Sequence, residues 1–138
     1  MYDERLVAPM RRDLTEVGFE ELRTPDEVNE ALLNKPGTAM VLVNSVCGCS
    51  ARMARPAARI AVSHEPRPER LYTVFAGQDV EATAQARGYF TGYRPSSPSI
   101  AILKDGQLVW MMERWQIEGR PAEDIADELV AAFDEVCK

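Results

Sequence analysis

The spacing of hydrophobic positions along this chain switches between a period of three to four residues and unbroken or alternating apolar runs. The first spacing predicts amphipathic helices, and the second predicts strands. Helices are expected over 3–17, 24–34, 51–62 and 79–87 and from Pro121 onward, and strands over 19–23, 38–43, 71–76, 99–103 and 107–112. The chain thus alternates helix and strand, with two successive strands near its end.

The order of these elements indicates an α/β fold. Strands separated by a helix are usually parallel and joined by right-handed crossovers. The last two strands are separated only by Lys104-Asp105-Gly106, and an Asp-Gly turn between apolar runs predicts an antiparallel hairpin. We therefore expect a three-layer α/β/α sandwich around a central mixed sheet, with a C-terminal β-hairpin plus helix, as a single domain over residues 1–138.

Two cysteines lie where the predicted central strand passes into a helix. The run 38–43 is almost entirely apolar, which is typical of a strand buried on both faces, and Asn44-Ser45-Val46-Cys47-Gly48-Cys49 follows it directly. Free backbone N–H groups and the positive end of the helix dipole favour a thiolate at this point. Cys47 lies nearest the helix end and is the predicted catalytic nucleophile, with Cys49 as a resolving thiol or a modulator.

A proline precedes the hairpin, in Ser96-Ser97-Pro98-Ser99. X–Pro bonds adopt the cis form at low cost, and a cis proline in a tight loop is a fixed feature. Reactive cysteines that start the helix after a central strand, together with such a proline, indicate a thioredoxin-like arrangement. In that arrangement the loop of Ser97 and Pro98 lies against the active-site sulfur.

The cysteine pair allows three interpretations: a dithiol redox site, part of a metal site, or two inert buried cysteines. Two cysteines around a glycine at a helix start argue against inert packing. A structural zinc site needs about four nitrogen or sulfur ligands, and only Cys137 and the single His64 remain outside the motif. Redox chemistry without a metal or other cofactor is therefore favoured, and the metal site stays as an alternative.

The single residue between the cysteines also informs the mechanism. A disulfide between them would close only with strain, for which Gly48 gives the backbone latitude. Strained disulfides are easily reduced. We expect a poorer reductant than thioredoxin, better suited to exchanging disulfides or to working through a mixed disulfide on one cysteine.

Three arginines follow the cysteines in the predicted third helix, which also contains Pro56 and should kink there. Arg52, Arg55 and Arg59 are spaced to share one helical face. We expect the helix end to be the main cause of a lowered pKa of Cys47 and Arg52 to be the second. Arg52 could also hold an anionic thiol substrate. The alternative is a solvated basic stripe without a role in catalysis.

Composition narrows the classes of function. The net charge is −6, which argues against nucleic-acid binding. No apolar stretch approaches the roughly 18 residues of a membrane span, and the acidic start lacks a signal peptide's apolar region. We therefore expect a cytoplasmic protein, in which three cysteines are more suited to catalysis or metal binding than to a structural framework.

The chain resembles the bacilliredoxin family, thioredoxin-like proteins with a Cys-Gly-Cys site. The matching segments span nearly the whole chain and are Tyr2-Asp3, Leu6–Arg11, Gly18–Thr24, Val43–Cys49, Ala54–Ala57, Phe75–Asp79, Ser96–Ala101, Lys104–Gly106 and Ile117–Arg120. The surroundings of Cys-Gly-Cys and the Ser-Ser-Pro-Ser loop are the most specific of them.

The resemblance implies exchange with bacillithiol, the low-molecular-weight thiol that some bacteria use in place of glutathione. Cys47 would take bacillithiol from an S-bacillithiolated client protein, and another thiol would regenerate it; weak disulfide isomerase activity is also implied. Together with the residue pattern, it indicates Gly48, Arg52, Ser97 and Pro98 as substrate-binding residues. A redox-sensing binding module, switched by closure of the two cysteines, is a further alternative.

Overall fold

Five strands form one mixed sheet in the computed structural model, which describes residues 1–138. They are β1 (Glu20–Glu21), β2 (Thr38–Asn44), β3 (Arg70–Phe75), β4 (Ser99–Lys104) and β5 (Gln107–Met112). Their order is β1-β3-β2-β4-β5; β1, β3 and β2 are parallel to one another, and β4 runs antiparallel to its two neighbours, β2 and β5. The predicted parallel middle and antiparallel edge are confirmed.

Helices cover both faces of the sheet. They are α1 (Glu4–Thr15), α2 (Pro25–Leu32), α3 (Arg55–Ala61), α4 (Val80–Arg87), α5 (Arg114–Ile117) and α6 (Ala122–Val136). The four-residue α5 was not predicted, because one helical turn leaves no periodic pattern. None of the helices combines the length and apolar composition that a membrane crossing requires.

The central strand β2 explains the layering. All seven of its residues are buried, and their side chains alternate between the two faces of the sheet. Met40 and Leu42 join a core with residues of α1, α3 and α6, while Val41 and Val43 join a second core with residues of α2 and α4. The α/β/α sandwich follows from this double burial, as the apolar run predicts.

The helix after β2 is irregular near its start. Gly48 and Cys49 are already helical, a π-helical segment follows over Ser50–Ala54, and regular helix resumes in α3. Pro56 lies in the first turn of α3, has no N–H, and would crowd a carbonyl of the preceding turn in a regular helix. A wider turn before it gives the ring room. The predicted distortion is therefore present, as a π segment directly after the cysteines.

Candidate active site

Cys47 lies at the junction between β2 and the following helix. Its carbonyl oxygen accepts hydrogen bonds from the backbone N–H groups of Ser50 and Ala51, both at 3.1 Å, so this residue starts the helix. Its side chain and that of Cys49 are both half-buried free thiols. The sulfur of Cys47 is therefore held at a helix start while it remains reachable from solvent. Closure of a disulfide across Gly48 stays a prediction.

Two buried hydroxyls support the Cys47 sulfur. The Ser45 hydroxyl donates to Sγ of Cys47 at 3.2 Å and lies 2.8 Å from the hydroxyl of Ser50. Since Ser45 has only one hydroxyl proton, Ser50 donates to Ser45 when Ser45 donates to the sulfur. The two serines thus form a short chain of hydrogen bonds directed at Cys47, and such chains strengthen each bond by polarisation.

These contacts determine which cysteine ionises first. Burial raises the pKa of Cys47, but hydrogen bonds from the Ser45 hydroxyl and the backbone N–H groups of Ser50 and Cys49, together with the charge of Arg114, more than offset it. The pKa of Cys47 therefore lies below its ordinary value. Burial and the neighbouring charge of Cys47 raise the pKa of Cys49. The structure thus supports Cys47 as the thiolate and Cys49 as the protonated thiol.

The cation beside the two sulfurs comes from α5. Nη2 of Arg114 lies 4.0 Å from Sγ of Cys49, and Glu118 approaches the same sulfur at 3.8 Å. Arg52, which was expected to lower the pKa of Cys47 after the helix end, is exposed and is not among the groups that shift it. That expectation is wrong: Arg114 supplies the charge. Arg52 instead lies along Gly48, where an added Cβ atom would come within 3.0 Å of its Nη2.

The loop before β4 lies beside Cys47. The Ser97–Pro98 peptide is cis, as expected, and Pro98 is buried. Ser97 and Cys47 line the same surface cleft, and the Ser97 carbonyl oxygen accepts a hydrogen bond from Nη1 of Arg114 at 3.3 Å. The fold therefore brings the proline loop to the reactive cysteine, although about 50 residues separate them in sequence.

Arg55 does not share an exposed face with Arg52. It is buried, and its Nη1 donates to Oδ1 of Asn44 and to the carbonyl oxygen of Ser45, both at 2.9 Å. Its Nε pairs with Asp13 at 3.0 Å. The extra residue of the π segment turns Arg55 by about 100° relative to a regular helix, which explains why the predicted stripe is wrong here. Arg55 thus braces the loop that leads into Cys47.

The third cysteine lies at the other end of the sheet. Burial raises the pKa of Cys137, and the side chains that also act on it belong to Thr38, Lys104 and Glu69. Thr38 is the first residue of β2, whereas Cys47 follows its last residue, about 20 Å away for a seven-residue strand. Cys137 therefore cannot resolve a disulfide on Cys47 within one chain.

The distance between Cys137 and the two motif cysteines also bears on whether the cysteines could bind a metal ion. No three side chains among the His, Cys, Asp and Glu residues are grouped so that they could hold a metal ion. Among the motif cysteines, Cys49 contacts one acidic side chain, Glu118, and it contacts Arg114 as well. A nearby guanidinium opposes a bound cation and favours a thiolate. Within one chain, the site fits sulfur nucleophile chemistry.

Sequence reasoning missed three of the residues that shape this site: Ser45, Ser50 and Arg114. Ser45 and Ser50 lie on either side of the cysteine motif in the sequence, and this proximity is the signal that could have identified them. Arg114 had no such signal, because its contact with Cys49 spans 65 positions and depends on the unpredicted α5.

The lowered pKa of Cys47 gives a direct prediction. Alkylation needs the thiolate, so its rate rises with pH through the pKa of each thiol, and Cys47 should react at lower pH than Cys49. In Ser45→Ala the hydrogen bond to the sulfur is lost, and we expect alkylation of Cys47 by iodoacetamide at pH 7 to slow about fivefold. Peptide mass spectrometry over a range of pH measures this. Ser63→Ala, at the far end of the helix, is the control; equal rates in both variants would contradict the assignment.

The architecture and the sulfur site together define a thiol–disulfide oxidoreductase with the thioredoxin fold. Mitochondrial thioredoxin 3 from Saccharomyces cerevisiae, in its oxidised form, superposes with a TM-score of 0.59. The match covers 89% of this chain and 98% of that one, with 15% sequence identity. At this identity the likeness concerns the fold.

The sequence comparisons are more specific. The chain matches a family model described as disulphide isomerase over residues 2–137. It is 56% identical to a bacilliredoxin of Koribacter versatilis, over 99% of this chain and 94% of the relative. It is 55% identical to a bacilliredoxin of Geobacillus kaustophilus, over 96% of this chain and 91% of the relative. The chain belongs to the bacilliredoxin family.

Proposed function

We propose that this protein removes bacillithiol from S-bacillithiolated client proteins through a mixed disulfide on Cys47. The observation that carries the proposal is the Cys47 sulfur itself, which is hydrogen-bonded as a thiolate and opens onto a surface cleft. Its relatives are named bacilliredoxins, and this name is the reason for proposing bacillithiol as the small thiol. No further cofactor is required, because exchange between sulfurs conserves both bonds and electrons.

The first step is an exchange at the sulfur of the bound small thiol. The Cys47 thiolate attacks the bacillithiol sulfur of the mixed disulfide, a new S–S bond forms to Cys47, and the client's S–S bond breaks. The client sulfur leaves as a thiolate and takes a proton from solvent. One disulfide is consumed and one is formed, so the client cysteine is reduced while Cys47 becomes oxidised.

The second step regenerates Cys47. Cys49 holds its proton more tightly than an ordinary thiol because burial and the charge of Cys47 raise its pKa. Once Cys47 is in a mixed disulfide its charge is gone, so the second of these causes disappears. Cys49 can then attack Cys47 and release bacillithiol, leaving an intramolecular disulfide for an external thiol to reduce; alternatively, the external thiol attacks the mixed disulfide directly.

The remaining predicted substrate-binding residues surround this sulfur. Gly48 exposes the backbone next to Cys47, and Arg52 lies along it at the surface. Ser97, which precedes Pro98, lines the cleft together with Cys47. We propose that an extended client segment passes between the Cys-Gly-Cys turn and the Ser97–Pro98 loop. The reaction suits the cytoplasm, where thiols are kept reduced.

The test is to trap the mixed disulfide. A purified S-bacillithiolated protein is incubated with the wild-type chain and with Cys49→Ser, and intact-mass and peptide mass spectrometry locate the bacillithiol. We expect wild type to free the client, and Cys49→Ser to accumulate bacillithiol on Cys47 because the resolving thiol is missing. Adding an excess of free thiol should discharge the trapped form.

Two results would contradict the proposal. One is bacillithiol found on Cys49 or Cys137 in place of Cys47. The other is a client that stays modified while an unrelated mixed disulfide, such as an aryl disulfide reporter, is still reduced at Cys47. The second result would leave a thiol–disulfide oxidoreductase with a different substrate.

A weak disulfide isomerase activity is a compatible secondary function. The family model that matches residues 2–137 carries that description, and an exchange-prone Cys47 thiolate is the group that such a reaction needs. Reactivation of scrambled ribonuclease, with Cys47→Ser as control, would measure it.

A further inference from the structure

The cleft beside Cys47 has an unusual charge for this protein. It encloses about 350 Å³, and its lining includes Cys47, Ser97 and two arginines, Arg87 and Arg114, but no acidic side chain. The chain as a whole has 22 acidic residues against 16 basic ones. A cleft with only positive charges, on a protein that is negative overall, favours an anionic ligand at that position.

Arg87 has a buried hydrogen-bond donor without a partner. It is the last residue of α4 and is partly buried, and its Nη2 donates to the carbonyl oxygen of Ser96 at 3.3 Å. Its Nε is buried and has no hydrogen-bond partner. Burial lowers the pKa of Arg87, and no acidic side chain lies near enough to offset it. Buried guanidinium groups are normally paired, so an unpaired one beside a reactive sulfur needs an explanation.

Arg114 faces the same cleft from α5. Its Nη1 donates to the carbonyl oxygen of Ser97 at 3.3 Å, and its Nε pairs with Glu118 at 3.3 Å, both in an exposed setting. Exposed ion pairs exchange partners readily because each contributes little free energy. A ligand carboxylate could therefore pair with Arg114 in place of Glu118 at a small cost in free energy. Arg87 is the more enclosed of the two arginines.

The N-terminal segment forms another wall of the cleft. Gln78 holds Tyr2 with two hydrogen bonds: Oε1 accepts from the Tyr2 N–H at 2.8 Å, and Nε2 donates to its carbonyl oxygen at 3.1 Å. The Tyr2 ring lies against Gly77, where an added Cβ atom would be 3.5 Å from Cε2. That distance is an ordinary contact; what strains a substitution at Gly77 is its φ of +80°. The cleft thus has a fixed aromatic wall as well as two cations.

We infer that this cleft binds a carboxylate at the non-reacting end of the small thiol that Cys47 removes, with Arg87 and Arg114 as its cationic partners. The inference rests on the proposed function and adds the feature by which the small thiol is selected. In the exchange step that thiol becomes bonded to Cys47, so its remaining atoms must lie next to the sulfur. A guanidinium can receive a carboxylate through two parallel hydrogen bonds, which gives specificity as well as attraction.

The experiment compares adducts that carry a negative, a neutral or a positive group at the same distance from the sulfur; the carboxylate and the amide are nearly equal in size. One client protein with a single cysteine is prepared as its mixed disulfide with 3-mercaptopropionate, with 3-mercaptopropionamide, or with 2-mercaptoethylamine. Rates of removal by the protein are each divided by the rate with dithiothreitol, which corrects for intrinsic reactivity. For wild type at low salt we expect the carboxylate adduct to be removed about tenfold faster than the amide, and the amine more slowly still.

Two variants assign the preference to the cleft. Arg87→Met should lower the ratio of carboxylate to amide rates to about one, because the enclosed cation is lost. Arg94→Met removes the same charge from an exposed residue near Arg87 but outside the cleft lining, and should keep the wild-type ratio. Independently of any variant, the wild-type preference should fall as sodium chloride rises from about 20 to 500 mM, since salt screens such attraction.

The outcomes separate the two proposals. If all three adducts are removed through Cys47 at equal corrected rates in wild type, the inference is overturned and the proposed function stands. If no adduct is removed faster than by Cys47→Ser, both fail. A preference for the carboxylate that Arg87→Met and Arg94→Met retain alike would also overturn the assignment to this cleft. Loss of the preference in Arg87→Met alone, in a variant with wild-type circular dichroism, supports it.

Discussion

Replacing Cys47 by serine should abolish release of the small thiol from a modified client, slowing it about a thousandfold or more, to the rate of uncatalysed exchange. The hydrogen bonds from Ser45 and the two backbone N–H groups would remain, but a serine hydroxyl does not ionise near neutral pH. No other thiol can replace it: burial still raises the pKa of Cys49 after the Cys47 charge is lost, the Ser45 hydroxyl is directed at position 47, and Cys137 lies at the opposite end of β2. The rate is measured from the free client thiol over time.

Cys137→Ser is the matched control for that experiment. It removes one of the three free thiols and leaves the site at the helix start untouched, so its rate should equal that of wild type. Turnover that persists in Cys47→Ser but disappears in Cys137→Ser would place the chemistry at the other end of the sheet. The assignment of Cys47 as nucleophile would then be wrong.

Local patterns were enough to predict the architecture. The unbroken apolar run in β2 predicts a strand between two layers, and its seven buried residues confirm it. The Asp105-Gly106 turn predicts the hairpin, and both residues have positive φ there. The cysteines could be placed at the helix start for the same reason: one strong strand signal and one strong helix signal leave only seven residues, 44–50, between them.

The charges around the sulfurs could not be predicted in the same way. Arg114 reaches Cys49 across 65 positions, through a helix of one turn. Arg55 was expected on the same face as Arg52 and Arg59 because the spacing assumed a regular helix, whereas the π segment turns it inward to Asp13, 42 positions away. Contacts of this kind depend on how elements pack, and a period of 3.6 residues carries no information on that.

Replacing Arg55 by methionine should lower the stability of the protein and also change the pKa of the Cys47 thiol. Arg55→Met keeps an unbranched side chain in place of the buried aliphatic part of Arg55 but removes three hydrogen bonds: those to Asn44, Asp13 and the Ser45 carbonyl. Asn44 still accepts from the Ser45 N–H, and Asp13 regains water because its side chain is 47% exposed. The Ser45 carbonyl loses its buried donor, and we expect the free energy of unfolding to fall by about 3 kcal/mol.

The same variant should also change the chemistry of Cys47. Arg55 fixes the Ser45 backbone, whose hydroxyl donates to the sulfur, and its own charge is coupled to that of Cys47. Without it the thiolate is less favoured, so the pKa of Cys47 should rise and the pH profile of its alkylation should move upward.

Urea unfolding and alkylation across pH measure the two effects of Arg55→Met, with Arg59→Met as the matched control. Arg59 lies one turn later in α3, and its ion pair with Glu16 is exposed, so its loss should cost less than about 1 kcal/mol and leave Cys47 unchanged. A merely structural Arg55 would lower stability without moving the alkylation profile. A shift of both in Arg55→Met, and of neither in Arg59→Met, identifies Arg55 as the residue that positions the loop leading into the nucleophile.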